Sequence, residues 1–351
     1  MKRTRTESLP LPEGMHCIQI TMSFPLRWVN SYILTEPDGK VSIIDPGPRT
    51  AQTEQEWHEA LNGLGLTFQH IHQIVLTHHH PDHLGLSGWM QQMSGAPVLM
   101  SARSRQETDF MWGTGASIEE RLPEYYLLHG MPQHKTVEIK EHMKTFISQI
   151  TPLPEVTIIA DGDTIRMGGK AWIAVETGGH APGHLSFYAH ESREILCGDA
   201  VLPQISPNIS LQPGSDAEPL QSYMDGLRRL STLTVERAYP GHRNPFTRFT
   251  ERTIELLAHH EERLGKLAER LQECPAHAYD VCLHLFGERL GTHQLRFAMS
   301  ETLAHLQELI RRGLAGQVQQ ADGIIYFQYL TTSSHRLHID TFGTDDNSFF
   351  Q

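Results

Sequence analysis

The segment HHHPDH, residues 78–83, concentrates four histidines and one aspartate at the end of a predicted β-strand. Alternate strand residues point to one side, so His78 and His80 are expected to present two imidazoles together. The turn that follows brings Asp82 and His83 to the same place from another direction. Neutral imidazole and carboxylate groups are ligands for Zn²⁺ and also for Mn²⁺ or Fe²⁺. The segment therefore predicts two halves of a metal centre, and the fold must bring further ligands to the end of this strand.

Three later segments end in residues of the same kind. His180 lies in ETGGHAPGH, Asp199 in LCGDAV and His242 in YPGH, and each follows a predicted strand. The neighbouring glycines allow close approach of the backbone. No cysteine stands near the histidine cluster, which argues against a closed structural zinc site. These three side chains are therefore expected to complete the site.

Short predicted strands alternate with helices through the first two thirds of the chain. Their number and spacing are typical of two sheets packed face to face with helices outside, more than of a doubly wound parallel sheet. The region 103–150 has little strand character, and helical runs around 118–128 and 138–149 indicate an inserted cap at about 104–150. We therefore expect an α+β catalytic domain over residues 1–250.

A second, mainly helical domain is expected over residues 251–330. Three amphipathic helices are followed by an apolar segment that predicts a hairpin turning at 321–323. This order is typical of a winged-helix-like domain, and a polar, loosely ordered tail is expected over 331–351. The apolar stripe of the first helix comprises Ile254, Leu257, Leu264, Leu267 and Leu271, and that of the third comprises Ala298, Met299, Leu303, Leu306 and Leu309. These stripes must be buried against each other, the catalytic domain or a second subunit, so a homo-oligomer is one expectation.

Charge and composition exclude several classes of protein. The net charge of −12 disfavours nonspecific attraction to nucleic acid or to an anionic membrane. Residues 251–330 hold eight Lys or Arg against eleven Asp or Glu, which weakens the prediction of a phosphate-binding surface there. No segment approaches the roughly 20 apolar residues of a membrane span, and no signal peptide is recognisable, so a cytoplasmic protein is expected. The cysteines show no CxxC spacing and are expected to be buried thiols: Cys17, Cys197, Cys274 and Cys282.

The motifs IIDPG, HHHPDH, TGGHAPGH, CGDA and YPGH occur in the order used by the metallo-β-lactamase superfamily, which this chain resembles from about Met15 to Thr247. The resemblance implies an αββα sandwich and two divalent metal ions, Zn²⁺ first, with Mn²⁺ or Fe²⁺ as alternatives. Asp199 would bridge the two ions, and Asp45 would orient ligands. An aspartate at 199, where the best-known β-lactamases have cysteine, makes the chain similar to the glyoxalase II, lactonase and ribonuclease branch. The implied ligands of one ion are His78, His80 and His180, and those of the other are Asp82, His83 and His242.

The C-terminal part, with RFAMSETLAHLQELIRRG as its long helix, resembles that of the lactamase-beta-like protein 2 group. The leading segment FPLRWVNSYIL also resembles the loop that this group places beside its metals. That group includes an RNA-cleaving member and fungal relatives that act on polyketide thioesters. One departure from the superfamily pattern is Gly178, where proline is common, and it is expected to affect loop stiffness more than ligation.

The resemblance implies a hydrolase in which two metal ions, about 3.5–4 Å apart, share a hydroxide formed at a pKa of roughly 7. Asp82 and Asp199 are the expected catalytic carboxylates, with Asp82 placed to move a proton. A small ester or thioester is the leading substrate, because the chain is acidic and the loop from Phe24 to Trp28 and the cap suit an apolar acyl group. A single-strand-directed endoribonuclease is the alternative. A non-catalytic binding protein is disfavoured, because no ligand position is missing.

Several notable residues have a simpler interpretation. His79 should face away from its two neighbours, His184 is expected to be structural, and Cys197 is expected to be a buried strand residue rather than a nucleophile. The aromatic and histidine side chains of the cap are equally compatible with packing and with substrate contact: Tyr125, Tyr126, His129 and His134.

Overall fold

The computed structural model describes residues 9–22 and 26–330 of the 351-residue chain. The predicted polar tail, 331–351, lies outside the described residues. So do Phe24 and Pro25 of the apolar loop, whereas Leu26 and Trp28 of the same loop are within them.

Six strands form the first sheet and lie side by side in chain order. The first two pairings are antiparallel and the other three are parallel. The parallel strands are connected through helices, as crossover connections require. The strands are β1 (Met15–Thr21), β2 (Trp28–Thr35), β3 (Val41–Ile44), β4 (Ile71–Val75), β5 (Val98–Ser101) and β6 (Val156–Ile159). The helices between them are α1 (Ala51–Gly63), α2 (Pro81–Leu84), α3 (Ser87–Ser94), α4 (Ala102–Trp112), α5 (Ile118–Leu128) and α6 (Gln133–Lys144).

Five strands form the second sheet, again in chain order. Its first three pairings are antiparallel and the last is parallel, because a helix connects the final two strands. The strands are β7 (Thr164–Met167), β8 (Lys170–Glu176), β9 (Leu185–Ala189), β10 (Glu194–Gly198) and β11 (Arg237–Pro240), and the connecting helix is α7 (Pro219–Ser231).

The two sheets pack face to face with helices on both outer surfaces, which confirms the predicted αββα sandwich. Alternation along the strands divides their side chains between the layers. In β4, Ile74 packs against the outer helices with Trp57 of α1, whereas Val75 faces Phe187 of the other sheet. Buried on both faces, such strands are apolar at nearly every position.

The insertion between β5 and β6 is helical, as predicted. α5 spans the predicted run 118–128, whereas α6 begins earlier than predicted and ends earlier, because Pro132 precedes its first turn and a short 3₁₀ turn, Ile147–Gln149, follows it. We call the segment 102–150 the cap.

The C-terminal part contains three helices and a small three-stranded sheet. Its elements are α8 (Phe249–Glu273), β12 (Ala276–His277), α9 (Ala278–Phe286), α10 (Thr292–Arg311), β13 (Ala315–Gln319) and β14 (Ile325–Tyr329). The predicted helices and hairpin are all present, and Gly313 ends α10 with a positive φ of 69°. That this module is a winged helix, and that a domain boundary lies at 250, stay predictions.

The apolar stripe of α10 is buried as predicted, but that of α8 is partly wrong. Ile254 is exposed, and the buried face of α8 instead includes Leu256 and His260. Residues 256, 260 and 264 lie one above the other on a helix, so a polar histidine sits within the packed face. The cysteine prediction also needs correction, because Cys274 is exposed and Cys17 half-buried, while Cys197 and Cys282 are buried.

Two further features complete the fold. Sequence reasoning missed α7, although its buried Leu220, Tyr223, Leu227 and Leu230 have helical spacing and Pro219 stands at its first turn. None of the helices within the described ranges is both long and apolar enough to cross a bilayer.

Candidate metal centre

All seven predicted ligands converge at one edge of the sandwich. The loop after β4 carries His78 and His80 into α2, whose short turn holds Asp82 and His83. Strands β10 and β11 are parallel, so their carboxyl ends share an edge, and Asp199 and His242 follow them there. The loop between β8 and β9 supplies His180.

The seven side chains form two clusters with one carboxylate between them. Asp199 Oδ2 lies 3.6 Å from His180 Nε2 and 3.3 Å from His242 Nε2. It therefore stands between the two sets, as a bridging ligand would. Within each set, one ligand atom from each residue lies within 4.8 Å of the others; the sets are His78, His80 and His180, and Asp82, His83 and His242.

Four of the candidate histidine ligands use Nδ1 for a contact outside the ligand set. The Asn208 and Trp28 carbonyls can only accept, so their histidine partners donate from Nδ1 and leave Nε2 to face the centre. These contacts fix the orientation of each ring. They join His78 to Thr77 Oγ1 at 2.8 Å, His83 to Asp45 Oδ2 at 2.9 Å, His180 to the Asn208 carbonyl at 2.8 Å and His242 to the Trp28 carbonyl at 3.1 Å.

Asp45 has the orienting position that the resemblance implied. Its Oδ2 accepts from the Thr77 hydroxyl at 2.7 Å and from His83 at 2.9 Å, and its Oδ1 accepts from the Thr77 N–H at 2.8 Å. Because the Thr77 hydroxyl donates to Asp45, it can only accept from His78 Nδ1. One buried carboxylate thus sets the tautomers of two candidate ligands.

Small and polar neighbours support the central carboxylate. A Cβ at Gly241 would stand 2.3 Å from Asp199 Oδ1 and 2.6 Å from His83 Cε1, so only glycine allows this approach. His184, predicted to be structural, accepts from the Asp199 N–H at 3.2 Å through Nε2 and contacts Thr177 Oγ1 at 2.8 Å through Nδ1. His184 therefore positions Asp199 through the backbone.

The residues present fit divalent metal ions. Nε2 of His83, Nε2 of His180 and Oδ1 of Asp199 are buried without a hydrogen-bond partner. Each unpaired buried group costs roughly 1–3 kcal/mol, which a cation among them would offset. Imidazole and carboxylate are the ligands that first-row divalent ions prefer in open sites.

The electrostatics of the two clusters differ. Burial, with the neighbouring imidazoles, holds the pKa of His78 and His80 well below its usual value, so both are neutral. Burial also acts to lower the pKa of His242, but the Asp199 and Asp82 carboxylates outweigh it and raise that pKa to about 10. In the absence of a cation this second cluster retains protons, and binding a metal must release them.

A cavity of about 250 Å³ opens above the centre. Its floor contains His80, Asp82, His180, Asp199 and His242. Its walls are mostly apolar and come largely from three parts of the chain. The cap contributes Met111, Trp112 and Phe146, the segment after β10 contributes Leu202, Ile205 and Pro207, and α10 contributes His293, Arg296 and Phe297.

Sequence reasoning found the ligands and Asp45 but missed most of the cavity. Nothing local in the sequence marks Asn208 or the α10 residues, because they meet the centre only through long-range packing. Leu26 of the predicted apolar loop does line the cavity. The other noted side chains do not: His79, Tyr125 and Tyr126 are buried elsewhere, His129 stacks on Phe327 of β14, and His134 is exposed.

Residues 26–242 match the metallo-beta-lactamase superfamily, and residues 264–330 match the metallo-beta-lactamase-like C-terminal domain. The chain belongs to the metallo-beta-lactamase superfamily. It is a hydrolase of that superfamily with metal-binding His and Asp clusters. The crystal structure of a superfamily protein from Thermus thermophilus is 32% identical and gives a TM-score of 0.81, covering 90% of this chain and 99% of that one.

Curated relatives carry the same architecture. The probable metallo-hydrolase YqjP of Bacillus subtilis is 28% identical over 85% of this chain and 92% of its own length. The beta-lactamase-like protein 2 homolog of Caenorhabditis elegans is 24% identical over 71% of this chain and 68% of its own, which confirms the predicted relationship to that group.

Two further relatives have names that state a reaction. An atrochrysone carboxyl ACP thioesterase of Aspergillus fumigatus is 26% identical over 62% of this chain and 51% of its own length. A hydroxyacylglutathione hydrolase of Idiomarina loihiensis is 25% identical over 63% of this chain and 82% of its own.

Proposed function

We propose that this protein is a dinuclear metal-dependent hydrolase of small thioesters or related esters. The observation that carries the proposal is the Asp199 carboxylate, which lies between two ligand clusters at the floor of a largely apolar cavity. Two relatives are named for the hydrolysis of acyl thioesters, which supports this substrate class.

The seven side chains would together hold two metal ions. His78, His80 and His180 would hold one ion, Asp82, His83 and His242 the other, and Asp199 both. When bound, such a pair lowers the pKa of water and neutralises negative charge that develops on a carbonyl oxygen. Zn²⁺ is the first candidate, and Mn²⁺ and Fe²⁺ suit the same ligands.

The two carboxylates of the floor have different exposure. The Asp199 side chain is 7% exposed and Asp82 is 22% exposed. Burial raises the pKa of Asp82, but His83 and His242 outweigh it and hold that pKa below its usual value, so Asp82 is ionised at neutral pH. We assign Asp82 the acceptance of a proton from the attacking water and its transfer to the leaving group, and Asp199 the positioning of both ligand sets.

The cavity walls favour an acyl group. Side chains such as Trp112, Phe146 and Leu202 can bury a short hydrocarbon chain and exclude bulk water from the reacting carbonyl. The few polar side chains of the cavity wall would orient the substrate.

An endoribonuclease remains the alternative function, but the cavity does not favour it. Among the lining residues that the structure describes, Arg296 is the single Lys or Arg. Tracking a phosphodiester backbone requires a groove with several cations, and the net charge of −12 adds no attraction.

The test is a substrate panel with the full-length, metal-reconstituted protein. The panel contains the butyryl thioester of N-acetylcysteamine, a γ-lactone and single-stranded RNA. We expect the thioester to be hydrolysed, and His180→Ala to lose that activity by orders of magnitude. His190→Ala removes an exposed histidine outside the cavity and serves as the matched control. Metal-dependent cleavage of RNA without turnover of the thioester or the lactone would contradict the proposal and support the phosphodiesterase.

A further inference from the structure

Arg296 is a cation of the cavity wall that forms no ion pair within the described chain. It lies in α10 and lines the same cavity as Asp82 and Asp199. Its Nε is buried without a hydrogen-bond partner. By contrast, Arg263 on the neighbouring helix α8 pairs with the buried Glu301 carboxylate.

Aromatic rings hold the guanidinium in place. Its central carbon lies 4.0 Å from the ring centre of Phe297 and 5.4 Å from that of Phe146, which belongs to the cap. The Tyr126 hydroxyl donates to the Arg296 carbonyl at 2.9 Å and fixes the backbone. These contacts orient the side chain, but aromatic faces accept none of its N–H groups in full hydrogen bonds.

The Arg296 guanidinium interacts with the Asp82 carboxylate at a distance but forms no ion pair within the described residues, so its partial desolvation is costly unless a ligand pairs with it. A guanidinium that is partly desolvated and unpaired loses hydration, whereas a carboxylate placed against it forms two parallel charge-assisted hydrogen bonds. One guanidinium matches the charge and the planar shape of one carboxylate. A phosphate dianion carries two negative charges, and Arg296 is the single Lys or Arg among the described lining residues, so a carboxylate is the closer match to its charge.

We propose that Arg296 binds a carboxylate of the substrate, so that the preferred substrate is an acyl ester or thioester carrying a second, unreacted carboxylate. This inference rests on the proposed function for its reaction, and it adds the specificity-determining residue and the substrate class. The apolar wall then contacts the carbon chain between the reacting carbonyl and the anionic end.

Three matched thioesters distinguish where the carboxylate lies. The neutral probe is the valeryl thioester of N-acetylcysteamine. A second probe, the glutaryl thioester of N-acetylcysteamine, carries a carboxylate on the acyl end. A third, the valeryl thioester of 3-mercaptopropionate, carries it on the thiol end. Non-hydrolysable thioether analogues of all three allow Kd to be measured by calorimetry without turnover.

We expect the metal-reconstituted wild-type protein to prefer one carboxylate probe over the neutral probe by about ten- to a hundredfold, in kcat/KM and in Kd, which is the range of one charged hydrogen-bonded contact. Arg296→Met should bring the ratio of kcat/KM between carboxylate and neutral probes, and the corresponding ratio of Kd, close to one, and Arg296→Lys should retain part of the preference. Arg121→Met is the control, because Arg121 also lies over a ring, that of Phe110 at 4.6 Å, but does not line the cavity.

The outcomes separate this inference from the proposed function. Equal kcat/KM and Kd for neutral and carboxylate probes, or a preference that survives Arg296→Met, would overturn the carboxylate subsite even if thioesters are hydrolysed. If no thioester is hydrolysed but a carboxylate thioether binds in an Arg296-dependent way, the subsite stands and the reaction assignment fails.

Discussion

The side-chain amide of Asn208 donates to Glu301 Oε2 over 2.9 Å and so joins the segment beside the metal centre to α10. The same amide donates to the Phe297 carbonyl over 3.0 Å, and the Asn208 backbone carbonyl accepts from His180 Nδ1. Arg263 pairs with the other oxygen of Glu301. The orientation of a candidate ligand in the sandwich therefore depends on two helices of the C-terminal part.

Asn208→Ala is expected to weaken metal binding without removing a ligand. Loss of both amide contacts frees the segment that accepts from His180, and loss of such an orienting contact typically costs about 10- to 100-fold in metal affinity. Competition with a chelator measures the change. Asn62→Ala, at an exposed position of α1, is the control. Unchanged affinity in Asn208→Ala would show that the ring of His180 is held in some other way.

Asp199→Ala should reduce the metal content below two ions per chain. Among the described residues, Asp199 is the one carboxylate within 3.6 Å of ligand nitrogens from both clusters, so its removal leaves the two sets without a shared ligand. We expect activity to fall by orders of magnitude, and elemental analysis with circular dichroism separates metal loss from unfolding. Asp225→Ala, an exposed change in α7, is the control. Two bound ions and near wild-type activity in Asp199→Ala would contradict the bridging assignment.

Ending the chain after Arg248 should damage solubility and substrate preference. Every candidate ligand precedes this cut, but the buried faces of α8 and α10 would be lost, and apolar surface such as Leu227 and Tyr126 would be uncovered. The α10 wall of the cavity would also disappear. Size-exclusion chromatography and the ratio of RNA cleavage to ester hydrolysis, at equal metal content, measure both effects.

A chain ending at Leu330 keeps every described element and is the control for this truncation. A soluble, monodisperse protein ending at Arg248 would contradict the packing argument. A loss confined to RNA cleavage would favour the endoribonuclease.

Glu107→Gln should raise thermal stability more at pH 8 than at pH 5. Burial raises the pKa of Glu107 to about 7, with Arg103 opposing and Asp216 adding to the shift. Between the ordinary value of 4.5 and about 7, the folded protein keeps a proton that the unfolded chain has released. The free energy of unfolding therefore falls as pH rises through this window, by about 3 kcal/mol in total.

Thermal melts of wild type and Glu107→Gln at the two pH values test this, since the uncharged glutamine removes the cost of ionisation at pH 8. Glu59→Gln, at an exposed position of α1, controls for the loss of a carboxylate. A Tm difference between wild type and Glu107→Gln that is the same at pH 5 and pH 8 would refute the assignment.

The sequence by itself indicated most of the strands, the face-to-face sheets with helices outside and the group of seven polar side chains at the strand ends, but it did not separate β6 from β7, which lie in different sheets. These features depend on local patterns: alternation along a strand, turns at Gly and Pro, and the close spacing of residues 78–83. The helices of residues 251–330 could be predicted in the same way, because an apolar stripe depends only on the spacing of nearby residues. Which face of a helix is buried depends on contacts with distant parts of the chain. The sequence therefore predicted that Ile254 is in the core, although it is exposed, and gave no sign that His260 is buried.

The tertiary structure alone decided how the site is completed. Asn208 and Glu301 are 93 positions apart, and Arg296 reaches the cavity from a helix that lies far beyond the last candidate ligand in the chain. Neither position carries a spacing that marks it, because its role arises from packing α10 against the cap and the sandwich. Ligand type is encoded by nearby residues, whereas the walls and supports of a cavity depend on which distant surfaces burial brings together.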